Sequence, residues 1–345
     1  MSNLPPSGEI PRGAIRFNTD SNKPELWDGS QWAEFQLSTP NLGRSVDTQP
    51  GARGLSGGGY SAPGRTNVIN YFNIASTGNA LDFGDLFTGS YGYAVSSSTR
   101  GIWGGGAFDD GGGVSNTNRI EFVTISSTGN GTDFGDLLAA KSQMNQGCSN
   151  ATRGLFSGGG PQPSRINTIE YITMSSAGNA QDFGDLTRLL ARAGSVSSPT
   201  RGIFAGGTPA ANGDVSNIID FVTISTLGNS QDFGDLTFEK TSPQSCSNAI
   251  RGLFGGSGPP PASNVIDYIT ISSTGNAVKF GELTDARFFG GACSSSTNGV
   301  FVGGYNEKVT IDYVKIATEG NAVDFGDLPD GVSYNAAVSN AHGGL

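Results

Sequence analysis

Few side chains in this sequence could do chemistry. His342 is the single histidine among 345 residues, which excludes a multi-histidine metal cluster and argues against a Ser-His-Asp or Cys-His nucleophile. Asp-Phe-Gly, the tripeptide that holds magnesium in protein kinases, occurs five times, at Asp82, Asp133, Asp182, Asp232 and Asp324. No glycine-rich loop with a partner lysine accompanies it. The aspartates Asp85, Asp136, Asp185, Asp235 and Asp327, with Glu282, could form an acidic ring that attracts cations, but no Asp-x-Asp-x-Asp-Gly loop is present. Glycine-rich runs lack the Lys-Ser or Lys-Thr of a phosphate cradle. Asn130-Gly-Thr132 and Asn150-Ala-Thr152 fit the N-glycosylation pattern, which matters only in a secretory pathway. The expectation is a non-enzymatic chain with no metal and no cofactor.

The elements around these residues repeat. Phe-Gly-Asp-Leu, or Phe-Gly-Glu-Leu in one copy, begins at Phe83, Phe134, Phe183, Phe233, Phe280 and Phe325. Twelve residues before each phenylalanine stands another aromatic: Tyr71, Phe122, Tyr171, Phe221, Tyr268 and Tyr313. The surrounding β-branched and apolar run, as in Ile120–Ile125, predicts a buried strand c. A Gly-Asn turn follows (Gly78-Asn79, Gly129-Asn130, Gly178-Asn179, Gly275-Asn276), suited to a tight hairpin. The chain then returns as strand d, ending in the Phe-Gly-Asp-Leu motif. Upstream, runs such as Gly101–Gly105, Gly154–Gly159, Gly202–Gly207, Gly252–Gly256 and Gly299–Gly304 close on a double glycine and predict strand b.

Six residues before the first glycine of strand b stands Val95, Cys148, Val196, Cys246 or Cys293, with Val338 equivalent in the C-terminal segment. These mark strand a. Because cysteine alternates with valine at one position of the repeat, the three cysteines read as buried small hydrophobes. Equivalent positions in separate units should lie too far apart to form disulfides.

Four antiparallel strands in each unit of 45–51 residues predict an all-β fold, a β-propeller. The double glycine closing strand b and the aromatics of strands c and d resemble the kelch repeat over residues 43–345, with phenylalanine at Phe83 and its equivalents where kelch repeats usually carry tryptophan. Some kelch-type propellers are copper radical oxidases, but their copper site requires two histidines, which this sequence lacks. Six units run from about Gly43 to Leu328, and residues 333–345 begin a seventh. Strand-like segments at Ala14–Asn18, Pro24–Trp27 and Gln31–Phe35 could complete it. The expectation is seven blades, the last assembled from residues 1–42 and the C-terminal segment; the alternative is six blades with a separate N-terminal hairpin and a loose C-terminal tail.

Composition agrees with a turn-rich, soluble chain. Glycine accounts for 54 residues and charged residues for 14%, against about 25% charged in an average globular protein. A net charge of −10 argues against nucleic acid as a partner, since phosphate recognition needs clustered Lys and Arg. Neither a signal peptide nor a run of ~20 apolar residues is visible, so no membrane insertion is expected.

In such a blade the a–b and c–d turns share one face, and the b–c loops and d–a links share the other. The first set is nearly invariant among the units. The second varies, and loops on a rigid scaffold are where recognition resides. The candidate binding residues on this variable face are Tyr60, Tyr91, Tyr93, Phe108, Asp109, Asp110, Phe288, Phe289 and Tyr305.

The segment Gly13–Trp32, with its Gly-Ala-Ile-Arg-Phe-Asn-Thr-Asp run, later Trp27 and Gly29-Ser30, and a closing Trp32, resembles a short module of tailed-bacteriophage virion proteins. Together with a glycine-rich kelch-like array, it resembles structural or fibre proteins of marine phages, cyanophages among them. The resemblance implies a virion component of tail, fibre or head surface, assembled in the host cytoplasm in multiple symmetric copies. Its partners would be other virion proteins and a host-surface glycan or protein. The alternatives are a purely architectural virion subunit and a cytosolic kelch adaptor or lectin.

Overall fold

In a computed structural model of the chain, the twelve-residue interval between the two aromatics of each repeat becomes an antiparallel pair. In all six repeats the strand c aromatic meets the strand d phenylalanine edge-on, with ring centroids 5.8–6.1 Å apart. The structure describes residues 10–18, 23–27, 29–34, 53–87, 93–109, 114–160, 164–209, 214–258 and 262–345. All regular elements among them are strands.

Residues 1–49 and 50–345 are two compact units. In the first, Ile15–Asn18, Lys23–Trp27 and Trp32–Glu34 form a three-stranded antiparallel sheet. Trp27 and Trp32 pack 5.5 Å apart, the Arg16 guanidinium lies over Trp32, and Arg16 pairs with Glu25 at 2.6 Å.

The second unit is a six-bladed β-propeller. Its six four-stranded sheets each run a-b-c-d from the channel outward. Blades 2 to 6 are continuous in sequence, their inner strands being Tyr93–Ser96, Cys148–Ser149, Gly194–Ser197, Gln244–Ser247 and Gly291–Ser294. Blade 1 is split. Ala336–Ser339 from the end of the chain is its inner strand and pairs with Arg53–Gly57, Val338 opposite Leu55. Strands Val68–Asn73 and Leu81–Asp85 complete that sheet.

This corrects the expectation of seven blades, in which residues 1–42 helped to close the ring, and gives the six blades of its alternative, but the C-terminal segment expected there to be loose is a paired inner strand. The inner-strand place of the first blade is taken from far along the sequence: in the repeat pattern Thr48 stands where the other units carry Val or Cys, and Val338 lies opposite Leu55. Val338 fills that place, so the terminal segment finishes the first blade instead of starting a seventh. Pairing both edges of the split blade removes the free edge that the sequence leaves at each end of the array.

Blades join through the repeat motifs. The turn glycine after strand c donates its N–H to the strand d phenylalanine carbonyl of the preceding blade, as Gly228 does to Phe183 at 2.9 Å, and Gly78 to Phe325 where the ring closes. The adjacent asparagine accepts the Asp or Glu N–H of the same motif: Asn229 from Asp185, Asn276 from Asp235 and Asn79 from Asp327, at 3.0–3.1 Å. Phe-Gly-Asp-Leu is therefore half of a blade joint.

The strand a Val or Cys makes a second joint. It packs against the first strand b glycine of the next blade, where a β-carbon added at Gly202 would lie 2.7 Å from the Cys148 sulfur. All three cysteines are buried and free. Burial pushes the thiols of Cys148 and Cys246 up to about 12.

A third joint uses charge. Arg53, Arg100, Arg153, Arg201 and Arg251 each lie over the strand c aromatic of their own blade and donate to a backbone carbonyl of the next. In blade 6 Asn298 takes this place and reaches Ile74 O at 2.8 Å. On the opposite face, buried carboxylates of strand c accept from the d–a link of the preceding blade. The pairs are Glu170 with Lys141, Asp220 with Arg188, Asp267 with Lys240 and Asp312 with Arg287.

Candidate functional site

The central channel has two unlike ends. At the end facing the a–b turns, the C-terminal residues enter it. His342 Nε2 donates to Ser96 O at 2.7 Å, and its Nδ1 accepts the Gly344 N–H at 3.1 Å. These contacts select the neutral imidazole, and burial pushes its pKa down to about 4. Gly343 and Gly344 lie where only glycine fits, since a β-carbon on Gly344 would lie 1.7 Å from Ser149 O.

Above this plug runs a closed hydrogen-bonded ring of serines, one from each inner strand. Ser339 Oγ donates to Ser294 O, Ser294 to Ser247 O, Ser247 to Ser197 O, Ser197 to Ser149 O, Ser149 to Ser96 O, and Ser96 to Ser339 O, all at 2.5–2.9 Å. The sequence reading missed this ring. Its signal was the serine after every strand a Val or Cys, which in a serine-rich chain carries no local mark of its role.

The other end opens on the variable face into a cavity of about 200 Å³. Five links enter the inner strands through non-glycine residues with positive φ: Gln143 (54°), Arg192 (61°), Ser242 (52°), Phe289 (55°) and Tyr334 (60°). This backbone conformation is uncommon outside glycine and clusters at functional sites. Here it lets the five residues bond in sequence around the rim. Arg192 N donates to Gln143 O, Ser242 N to Arg192 O, Phe289 N to Ser242 O and Tyr334 N to Phe289 O, at 2.5–3.3 Å.

Phe289 and Tyr334 line the cavity, and an aromatic row extends from Phe289 through Phe288 to Tyr305. Phe289 stacks on Tyr334 at 4.2 Å and meets Phe288 at 5.0 Å; Phe288 stacks on Tyr305 at 4.7 Å. The Arg192 guanidinium lies 5.1 Å from the Phe289 ring centre. Tyr93 also lines the cavity. Burial raises its phenol well above the ordinary value, against the opposing pull of Arg192. Among the described residues, the cations of the outer links are paired with carboxylates, whereas Arg192 has no carboxylate partner. Arg165 is close enough for its charge to feel that of Arg192.

Of the candidate set, the structure thus brings Tyr93 and Phe289 to the cavity wall, with Phe288 and Tyr305 packed in a row beside Phe289. Tyr60 lies apart, in a small hairpin whose backbone pairs with Ser333. Phe108 and Asp109 belong to another hairpin, paired with Ser115 and Val114. Tyr91 and Asp110 lie outside the described residues. Arg192 and Tyr334 were missed because rim residues share no residue type. Their common signal is position: Arg192, Ser242, Phe289 and Tyr334 stand four residues before the strand a Val or Cys, and Gln143 five.

Among the described residues no three His, Cys, Asp or Glu side chains group as metal ligands, the repeat aspartates included. The fold and this rim define a six-bladed propeller with one channel end filled by its own chain and the other open and aromatic. No protein-family model matches the sequence, and no curated protein matches it.

Proposed function

We propose that the chain is a non-enzymatic recognition propeller of a bacteriophage particle, presenting its variable face to the host surface in multiple copies. The observation that carries this reading is the rim of the open channel end, where stacked aromatics, an arginine without a carboxylate partner and a cavity share a rigid scaffold. Concave sites of mixed aromatic and polar lining on such scaffolds are typical of ligand binding. The resemblance of residues 13–32 to a virion module supports the placement on a particle. Many weak contacts on a symmetric particle become strong attachment through avidity.

The histidine and the thiols are committed to the fold. His342 has both ring nitrogens hydrogen-bonded inside the plug, and the thiols are buried between blades. The test is a single-particle image of the native assembly. A rim facing outward supports the reading. A rim covered by another virion subunit makes the protein architectural, and absence from every particle refutes the phage placement.

A further inference from the structure

Resting on that recognition reading, we infer that the cavity at the channel mouth takes one carboxylated sugar residue, its carboxylate on Arg192 and its ring against Phe289 and Tyr334. Three independent demands of the cavity converge on this chemistry. The first is an anion. Arg192 is half-buried and without a carboxylate partner among the described residues, in a chain whose net charge is −10. A guanidinium so placed binds a carboxylate through paired N–H donors.

The second demand is for hydroxyl groups. Asn335 lines the cavity and is 5% exposed. Its Nδ2 donates to Val302 O at 3.3 Å and to Ser56 Oγ at 2.7 Å, which fixes the amide so that Oδ1 is the atom left over. That oxygen has no partner, nor do the hydroxyls of Ser242 and Ser245, which are 8% and 5% exposed and also line the cavity. A buried acceptor requires a donor. A bare carboxylate such as acetate brings none, whereas a sugar brings several.

The third demand is an apolar face. Phe289 and Tyr334, stacked on each other, both line the cavity with aromatic carbon, and a pyranose offers C–H groups to it. Size agrees: about 200 Å³ at roughly 10–15 Å³ per water-sized group admits on the order of fifteen heavy atoms, one hexuronic acid and not a chain.

The experiment uses the full chain and isothermal titration with D-glucuronate, D-glucose and acetate. Glucuronate should bind, glucose should bind at least roughly tenfold more weakly, and acetate should not compete. Arg192→Gln should lower glucuronate affinity roughly 10- to 100-fold, the worth of a charged hydrogen bond, and leave glucose unchanged. Arg192→Lys, which keeps the charge, should recover part of the loss. Circular dichroism and thermal melting confirm that both variants fold.

Equal binding of glucose and glucuronate overturns the inference, as does an Arg192→Gln variant that binds glucuronate like the parent. If neutral glycans bind and acidic ones do not, the ligand class falls while recognition stands. A polysaccharide ending in glucuronate that competes with the monosaccharide supports a surface glycan as the source. Competition by the free monosaccharide alone keeps the ligand class and overturns surface recognition.

Discussion

The blade joint makes a quantitative prediction through two glycines of one repeat pair. Gly184, in the Phe183-Gly184-Asp185 motif, has a φ of 144°, and a β-carbon there would lie 2.5 Å from Gly228 O, a backbone atom of the next blade. Gly228 itself has a φ of 150° but faces open space. Alanine at either site adopts an unfavourable backbone conformation, which costs about 1–3 kcal/mol. At Gly184 the methyl must also push the two blades apart. Three hydrogen bonds cross that joint: Gly228 N to Phe183 O at 2.9 Å, Ser230 N to Asp185 O at 2.8 Å, and Asp185 N to Asn229 Oδ1 at 3.0 Å. At ~1 kcal/mol each, their loss makes Gly184→Ala about 2–3 kcal/mol more destabilising than Gly228→Ala. Urea denaturation followed by circular dichroism measures the difference. Equal losses, within roughly 0.5 kcal/mol, would refute the claim that this motif exists for the close approach of blades.

Three further outcomes follow from the same geometry. Val338→Asp buries a carboxylate against Gly101 in place of a methyl pair; it should unseat the inner strand of blade 1, expose an unpaired edge and give aggregates in size-exclusion chromatography. His342, at about 4 in the fold against ~6.5 when unfolded, binds its proton more readily in the unfolded chain. Its contribution is complete above about pH 6.5 and is lost as pH falls toward 4, by roughly 3–3.5 kcal/mol in all. His342→Gln should flatten that part of the stability profile relative to the parent. The three cysteines, buried with raised pKa values, should resist Ellman's reagent at pH 8 in the native protein and all react in denaturant.

The sequence made the blade legible because its signals are local. Two aromatics twelve residues apart, a Gly-Asn turn between them and a double glycine upstream describe a hairpin meander within a single unit. Even the role of Cys148, Cys246 and Cys293 was readable, since valine replaces them in the other repeats. Ring closure was not readable in the same way. It depends on Val338 taking the strand a place of the first blade, whereas in the sequence Thr48 merely replaces the Val or Cys of the other repeats. The candidate site divides likewise. Phe288, Phe289 and Tyr305 stood out as aromatics in a variable link or loop, whereas Arg192, Ser242 and Tyr334 acquire meaning only when the ring sets them side by side. Arg188 and Arg287, in links expected to serve recognition, instead neutralise buried carboxylates of the next blade.

The split blade also sets a timetable. Asn335 and Ser56, hydrogen-bonded partners in blade 1, are separated by 279 residues. At ~5–20 residues per second, a ribosome needs roughly 15–55 s to make the stretch between them. Throughout that interval the strand Arg53–Gly57 waits with its inner edge unpaired while five later blades emerge and stack. Nascent chains crowded along one message could lend each other that missing strand, giving an exchanged pair of rings. A slow supply of the last few residues therefore favours exchange between neighbours, and fast completion favours a ring closed on itself.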